Sequence, residues 1–141
     1  MKEHIGWKIK VLDQAFLRVA ESHVGLPATQ LRLLGYLLSR ENEYTYQKDI
    51  ESAFSVSRAA VSITLDKMEK AGLLRRVNSE KDKRQKYLVL LDKGRDAAKE
   101  SFERLVELEE DIESIFSDDE KKLLDDFVTR LLLRMEELND S

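Results

Sequence analysis

Residues that break helices are scarce in this chain, and this scarcity limits the folds it can adopt. One proline and five glycines are spread over 141 residues. Because a proline or a glycine inside a helix costs about 3 or about 1 kcal/mol relative to alanine, long stretches without them favour helix. Hydrophobic residues make up 42% of the chain, enough for the core of one domain of ordinary size. We therefore predict a mainly α fold.

Apolar residues recur at helical spacing near the start of the chain. Ile5, Ile9 and Leu12 lie four and three residues apart, and the stripe that they begin predicts a helix ending near residues 22–25. A second helix is predicted through residues 31–38, which are rich in leucine.

The last third of the chain also carries helical signals. Asp92 is a candidate N-cap for a long helix that reaches Ile115. Ser117 and Glu120 then form the S-x-x-E pattern of a capping box, which starts a final helix. That helix has its own apolar stripe, which includes Phe127, Leu131 and Leu132.

Between these parts, the sequence predicts two helices joined by a very short turn. Thr45 is a candidate N-cap for a helix over residues 46–53, and Ser57 is a candidate N-cap for a helix over residues 58–71 that ends at Gly72. Two helices joined so tightly cross steeply, as in a helix-turn-helix, whose second helix inserts its N-terminal residues into the DNA major groove. The residues predicted to lie there are Ser57, Arg58, Ala59 and Ser62.

Arg58 is the long cationic side chain among these four residues. It can donate two hydrogen bonds to a guanine edge or bind a phosphate, and the sequence leaves both contacts open.

Two short segments rich in strand-forming residues follow, at 73–77 and 87–91, and predict a β-hairpin. Its tip is basic, since residues 75–86 contain six basic and two acidic side chains. An arginine on such a wing can enter the narrow minor groove, and we assign this contact to Arg84. Asp82 is expected either to orient the Arg84 guanidinium or to brace the tip. Other basic residues predicted at this interface are Lys83 on the wing and, as phosphate contacts, Lys48, Lys67, Lys81 and Lys86.

The net charge of −4 conceals an uneven distribution of charge. Residues 1–44 carry six basic and five acidic side chains, residues 45–98 carry twelve and eight, and residues 99–141 carry six and fifteen. Nucleic-acid binding depends on the local distribution, so the basic middle segment is compatible with DNA binding despite the acidic total.

Several function classes have no support in the sequence. The chain has no cysteine and two histidines, so a thiolate site is excluded and a dedicated metal site is not expected. No catalytic motif or phosphate-binding loop is present, and we expect neither an enzyme nor a bound cofactor. Residues 1–10 lack the apolar core of a signal peptide, and no run approaches the roughly 18 apolar residues of a membrane span. We therefore expect a cytoplasmic protein with no membrane partner.

Five segments between residues 47 and 94 carry specific sequence motifs. The most specific motifs are the E-K-x-G-L sequence that begins at Glu69 and the D-x-R sequence of the wing. Glu51 and Ser55 depart from the general helix-turn-helix pattern, where alanine and glycine are frequent. The five segments are Gln47–Ile50, Ser57–Leu65, Met68–Leu74, Asp82–Arg84 and Leu91–Gly94. Together they resemble the MarR family, and the resemblance extends over nearly the whole chain.

The resemblance implies a homodimeric winged helix-turn-helix regulator that binds a pseudo-palindromic operator in double-stranded DNA. The winged domain would span residues 26–98, between an N-terminal dimerisation helix at 1–25 and C-terminal dimerisation helices at 99–141. Apolar residues of the two terminal stripes would form the dimer interface, namely Ile5, Ile9, Leu12, Phe127, Leu131 and Leu132.

The resemblance further implies a repressor, released when a small aromatic or phenolic effector binds between the dimer helices and the winged domain. Without cysteine, the branch of the family that senses peroxide through a reactive thiol is excluded. The alternative is a winged-helix module for protein–protein assembly, whose basic wing docks an acidic partner without sequence-specific DNA binding.

Overall fold

The computed structural model describes residues 1–141 and contains six helices and three short strands. The mainly α fold with a small β wing, predicted from the sequence, is confirmed. The chain divides into two compact units, Met1–Leu105 and Val106–Ser141. The elements are α1 (Ile5–Val24), α2 (Ala28–Ser39), β1 (Thr45–Tyr46), α3 (Gln47–Phe54), α4 (Arg58–Lys70), β2 (Leu74–Asn78), β3 (Lys86–Leu90), α5 (Asp92–Glu113) and α6 (Asp118–Asn139).

The core of the first unit joins helices α2, α3 and α4 to the sheet. Its most deeply buried side chains are those of Leu34, Ile50, Leu65, Met68 and Leu74, which come from four different elements. Burial of a large aliphatic side chain contributes about 1.5–3 kcal/mol, so this cluster holds the short helices α3 and α4 against the sheet.

Helix α4 begins and ends as its sequence predicts. The Ser57 Oγ accepts a hydrogen bond from the backbone N–H of Ala60 at 3.1 Å, which makes Arg58 the first helical residue. At the other end, Gly72 has a φ of +76°, a left-handed conformation that favours glycine. In the turn before α4, Ser55 has a φ of +51°, which explains why glycine is frequent at this place in related motifs.

The sheet differs from the predicted hairpin in having a third strand. The strand order is β1-β3-β2 with antiparallel pairing, and the two hairpin strands lie one residue from their predicted bounds. Thr45 is therefore not the N-cap of α3, because it pairs with Leu88 in the sheet. Instead, Tyr46 precedes the helix, and its backbone N–H donates to Asp49 Oδ2 at 2.8 Å.

The predicted cap of α5 is also displaced by one residue. The Leu91 carbonyl accepts the bond from the Arg95 backbone N–H at 2.8 Å, so Leu91 takes the capping position and Asp92 begins the helix. The Asp92 carboxylate instead accepts a hydrogen bond from Arg95 Nη1 at 2.7 Å.

Gly94 lies where the first turn of α5 passes closest to the backbone before β2. A Cβ on Gly94 would stand 1.9 Å from the Leu73 carbonyl oxygen, which already accepts a hydrogen bond from the Leu91 backbone N–H. We expect Gly94→Ala to lower the free energy of unfolding by about 1–3 kcal/mol, because α5 must shift away from that carbonyl.

Gly35 provides the matched control, because it lies inside α2 and no atom of another element stands within 4 Å of the place that an alanine methyl group would take. Gly35→Ala should raise the free energy of unfolding by about 0.5–1 kcal/mol. Equal stability of the two variants in thermal denaturation would contradict the close approach at Gly94.

The second unit contains the end of α5 and all of α6. The predicted capping box is present, since Ser117 Oγ accepts from the Glu120 backbone N–H at 3.2 Å and the Ser117 N–H donates to Glu120 Oε1 at 2.9 Å. The hydrogen bond from the Ser117 backbone lowers the pKa of Glu120. Helix α6 has no buried residue: Phe127 is 50% and Leu132 57% exposed. No helix of the chain combines the length and apolar character needed to cross a bilayer.

Candidate nucleic-acid interface

The N-terminus of α4 presents short side chains and one free cation to solvent. Ser57, Arg58 and Ala59 are exposed, whereas Ser62, one turn later, is half-buried. Arg58 makes no ion pair and no hydrogen bond within the chain, so all of its donors are available. The unpaired N–H groups at a helix N-terminus also favour an anion such as a phosphate.

A groove of about 360 Å³ lies between this helix end and the sheet. It brings together residues from α3, α4 and both hairpin strands that are far apart in the sequence. Five of its lining residues are basic, and one, Glu51, is acidic. The predicted DNA-contacting residues that line it are Lys48, Arg58, Ser62, Arg84 and Lys86, and Arg76 lines it as well.

The tip of the wing is organised by Asp82. Its Oδ1 accepts hydrogen bonds from the backbone N–H of Arg84 at 3.0 Å and from Arg84 Nε at 3.2 Å. The carboxylate thus both braces the turn and orients the guanidinium, the two roles that the sequence left open. The Arg84 side chain is 92% exposed, and its Nη groups have no partner in the chain. The Arg84 guanidinium therefore faces solvent, with its Nε bound to Asp82.

The other predicted phosphate contacts are exposed to solvent. Lys81 and Lys83 are exposed at the wing tip, and Lys67 is exposed in the last turn of α4, all three outside the lining of the groove. Lys48, which does line the groove, is exposed on α3, with its Nζ 5.8 Å from the centre of the Tyr46 ring. Contacts between these residues and phosphates stay predictions.

Arg76 is the one arginine of the basic wing segment whose side chain is largely buried. Its side chain is only 17% exposed and forms ion pairs with Glu69 and Asp66 of α4. The six basic residues of the wing segment therefore overstate the charge available to DNA. Sequence reasoning missed this role, although Asp66 and Glu69 are spaced three residues apart on α4 and so share a helix face.

Hydrogen bonds from the backbone and the guanidinium of Arg76 lower the pKa of Glu69. Burial disfavours the charged form of Arg76, but its bonds to Glu69 and Asp66 outweigh this and raise its pKa. Because the pKa of Glu69 is lowered from 4.5, its contribution to stability is present above about pH 4.5. This contribution to stability is lost as the pH falls through the lowered pKa of Glu69 in the folded state.

Comparison with known proteins finds similar proteins for this chain. A model described as "MarR family" matches residues 24–85, from the end of α1 to the wing. The HTH-type transcriptional regulator PecS of Dickeya dadantii is 33% identical over 113 residues, which are 79% of this chain and 65% of PecS. The chain is thus similar in sequence to the MarR family. It spans slightly less than two thirds of the length of PecS.

Solved structures with a similar fold include transcription regulators. A Staphylococcus aureus MepR–DNA complex has a TM-score of 0.80 at 21% identity and covers 94% of this chain and 98% of MepR. The PcaV transcriptional regulator from Streptomyces coelicolor has a TM-score of 0.83 at 20% identity and covers 95% and 98% of the two chains. At these identities the likeness shows the fold alone.

The chain also has an apolar cavity of about 260 Å³ within its first unit. Side chains from α1, α2 and α5 line it, with Glu21 and Arg32 as its charged residues. No group of three or more histidine, aspartate or glutamate side chains is arranged to hold a metal ion. The apolar lining residues are Phe16, Leu17, Ala20, Ala28, Leu31, Gly35, Ala98, Phe102 and Leu105.

Proposed function

We propose that this protein is a homodimeric, sequence-specific DNA-binding transcription regulator of the MarR family that acts as a repressor. The observation that carries this proposal is the groove in which Arg58 and Ser62 of α4 lie together with Arg84 of the wing. A helix-turn-helix with such a wing can contact both grooves of a duplex at once. The role involves no catalysis and requires access to the chromosome, so we also propose a cytoplasmic location.

Each protomer would insert the start of α4 into the major groove. The exposed Ser57, Arg58 and Ala59 support this docking, since small side chains beside one long cation allow the backbone to approach closely. Arg84 would enter the adjacent minor groove, where the negative potential attracts a guanidinium. Contacts with the phosphates would come from Lys48 and Lys86, beside the groove, and from Lys67, Lys81 and Lys83.

The homodimer is supported by apolar side chains that one chain leaves uncovered. Ile5, Ile9 and Leu12 are exposed on α1, and Phe127 and Leu132 are exposed on α6, where Leu131 is half-buried. A symmetric dimer would cover such faces with a second copy of the same surface. Its two copies of α4 would enter successive major grooves about 34–36 Å apart, which requires a pseudo-palindromic site.

The apolar cavity supports the proposal of a small aromatic or phenolic effector. Its lining is dominated by aliphatic and aromatic side chains from α1, α2 and α5. A bound effector releases the repressor only if it binds the DNA-free arrangement more tightly than the DNA-bound one.

Salt dependence of duplex binding tests the regulator against the assembly-module alternative. We expect log K for a labelled duplex to fall linearly with log salt, with a slope of about −0.9 for each phosphate contact. Adding phenol as a probe at constant salt should lower the affinity further. A protein that binds no duplex even at low salt, but binds an acidic polypeptide through its wing, would contradict DNA regulation and favour the assembly module.

A further inference from the structure

Four hydrogen bonds join the first strand of the wing to α4, and Arg76 donates all of them. Its backbone N–H donates to Glu69 Oε2 at 2.9 Å, and its Nε and Nη2 donate to Glu69 Oε1 at 3.3 and 3.0 Å. Its Nη2 also donates to Asp66 Oδ1. Both carboxylates belong to α4, and Arg76 belongs to β2.

These hydrogen bonds connect the two parts of the chain that carry the proposed DNA contacts. Helix α4 begins with Arg58, and β2 leads to the wing tip with Arg84. Ala71–Leu73 link the two elements covalently, including the left-handed Gly72. Buried Leu65 and Met68 of α4 pack in one core cluster with Leu74 of β2. Outside that core, the guanidinium of Arg76, which is bound by two carboxylates, adds a directional restraint on the angle between the two elements.

The charge balance argues against Arg76 as a phosphate contact. Two carboxylates accept hydrogen bonds from it, so the cluster of Arg76, Asp66 and Glu69 has a formal charge of −1. Three of its polar atoms, the backbone N, Nε and Nη2, already have acceptors. The cluster therefore adds no net positive charge to the groove that Arg76 lines.

We propose that Arg76 is a positioning residue, whose bonds to Glu69 and Asp66 fix the wing relative to α4 so that Arg58 and Arg84 engage one DNA site together. This inference rests on the proposed function and deepens it. The specificity of binding then depends on a residue that does not itself touch DNA.

Replacing Glu69 distinguishes a positioning role of Arg76 from a purely electrostatic effect, because the two predict different changes in DNA binding. Glu69→Ala removes one negative charge and three of the four hydrogen bonds of Arg76. A purely electrostatic effect would tighten binding to every duplex and leave discrimination unchanged. A wing that is no longer positioned should instead lower the ratio of affinities for a selected and a scrambled duplex by about tenfold or more, as expected for the removal of one groove interaction.

Asp66→Ala is the matched control. Like Glu69→Ala, it removes one negative charge from α4, but it removes only one hydrogen bond of Arg76. The Asp66 side chain is 51% exposed. We expect it to change the ratio by no more than about twofold, since exposed ion pairs contribute little. Hydroxyl-radical footprinting should show no protection of the minor groove under the wing for Glu69→Ala. Protection of guanine N7 from dimethyl sulfate under α4 should persist.

Thermal denaturation shows whether each variant is folded, and Glu69→Gln replaces Glu69→Ala if the latter is not. Unchanged discrimination and an unchanged footprint in a folded Glu69 variant would overturn the positioning role and leave the DNA-binding proposal intact. If the unmodified protein itself does not distinguish the two duplexes, the proposed function fails, and the positioning role fails with it.

Discussion

Replacing Arg84 with alanine is expected to weaken specific DNA binding by about 1–3 kcal/mol for each protomer. A dimer carries two such residues at distant sites, whose effects should add, so the loss for one operator is about 2–6 kcal/mol. The reason is geometric. The Arg84 side chain is 92% exposed at the tip of the wing, its Nε donates to Asp82 Oδ1, and nothing in the chain binds its Nη groups. Competition titrations with selected and scrambled duplexes measure this loss directly.

Lys48→Ala is the comparison that separates groove recognition from general attraction to DNA. Lys48 is exposed beside the groove and makes no ion pair, so we expect it to contact a phosphate. Its removal should weaken binding to all duplexes alike and reduce the salt slope by about one for each phosphate that is no longer bound. If Arg84→Ala also weakened selected and scrambled duplexes equally, the assignment of Arg84 to the minor groove would be wrong.

Leu132→Asp is expected to abolish the dimer at concentrations where the unmodified protein is dimeric. Leu132 is 57% exposed in one chain and belongs to the apolar stripe of α6. A carboxylate buried in an apolar interface without a partner costs several kcal/mol, so the dissociation constant of the dimer should rise at least about a hundredfold. Each monomer would then bind one half-site, and affinity for a full operator should fall steeply.

Thr129→Asp controls for the added charge. Thr129 is exposed on the same helix but is not part of the apolar stripe. Sedimentation equilibrium should show a dimer for this variant and a monomer for Leu132→Asp. A dimer in both would mean that the stripe of α6 does not form the interface.

The parts of the fold that were predictable from sequence are those specified by local signals. Ser57, the apolar residues of α4 and Gly72 each lie within or next to the helix that they define, so its start and end were predicted correctly. The capping box of Ser117 and Glu120 is local in the same way.

Features set by pairing between distant residues were missed. Strand β1 has only two residues, and it exists because Thr45 and Tyr46 pair with β3 about forty residues later. From local sequence alone, Thr45 was therefore predicted as a helix N-cap. Likewise, Arg76 was counted with the free cations of the wing because its partners on α4 become neighbours only after the strand packs against the helix. The groove forms only through this packing. Most of the residues that line it were predicted from the sequence, but the ion pairs that hold Arg76 were not.

Selection of bound fragments from a random duplex library at physiological salt tests whether the protein is a dimeric, sequence-specific DNA-binding regulator. For a dimer that reads two half-sites, the recovered fragments should share a pseudo-palindrome with half-site centres about 10 bp apart. The same selection with Arg84→Ala should lose preference in the sequences that flank each half-site, where the wing would lie. If the folded protein enriched no sequence above background, sequence-specific regulation would be contradicted, and the assembly module would be the better account of this chain.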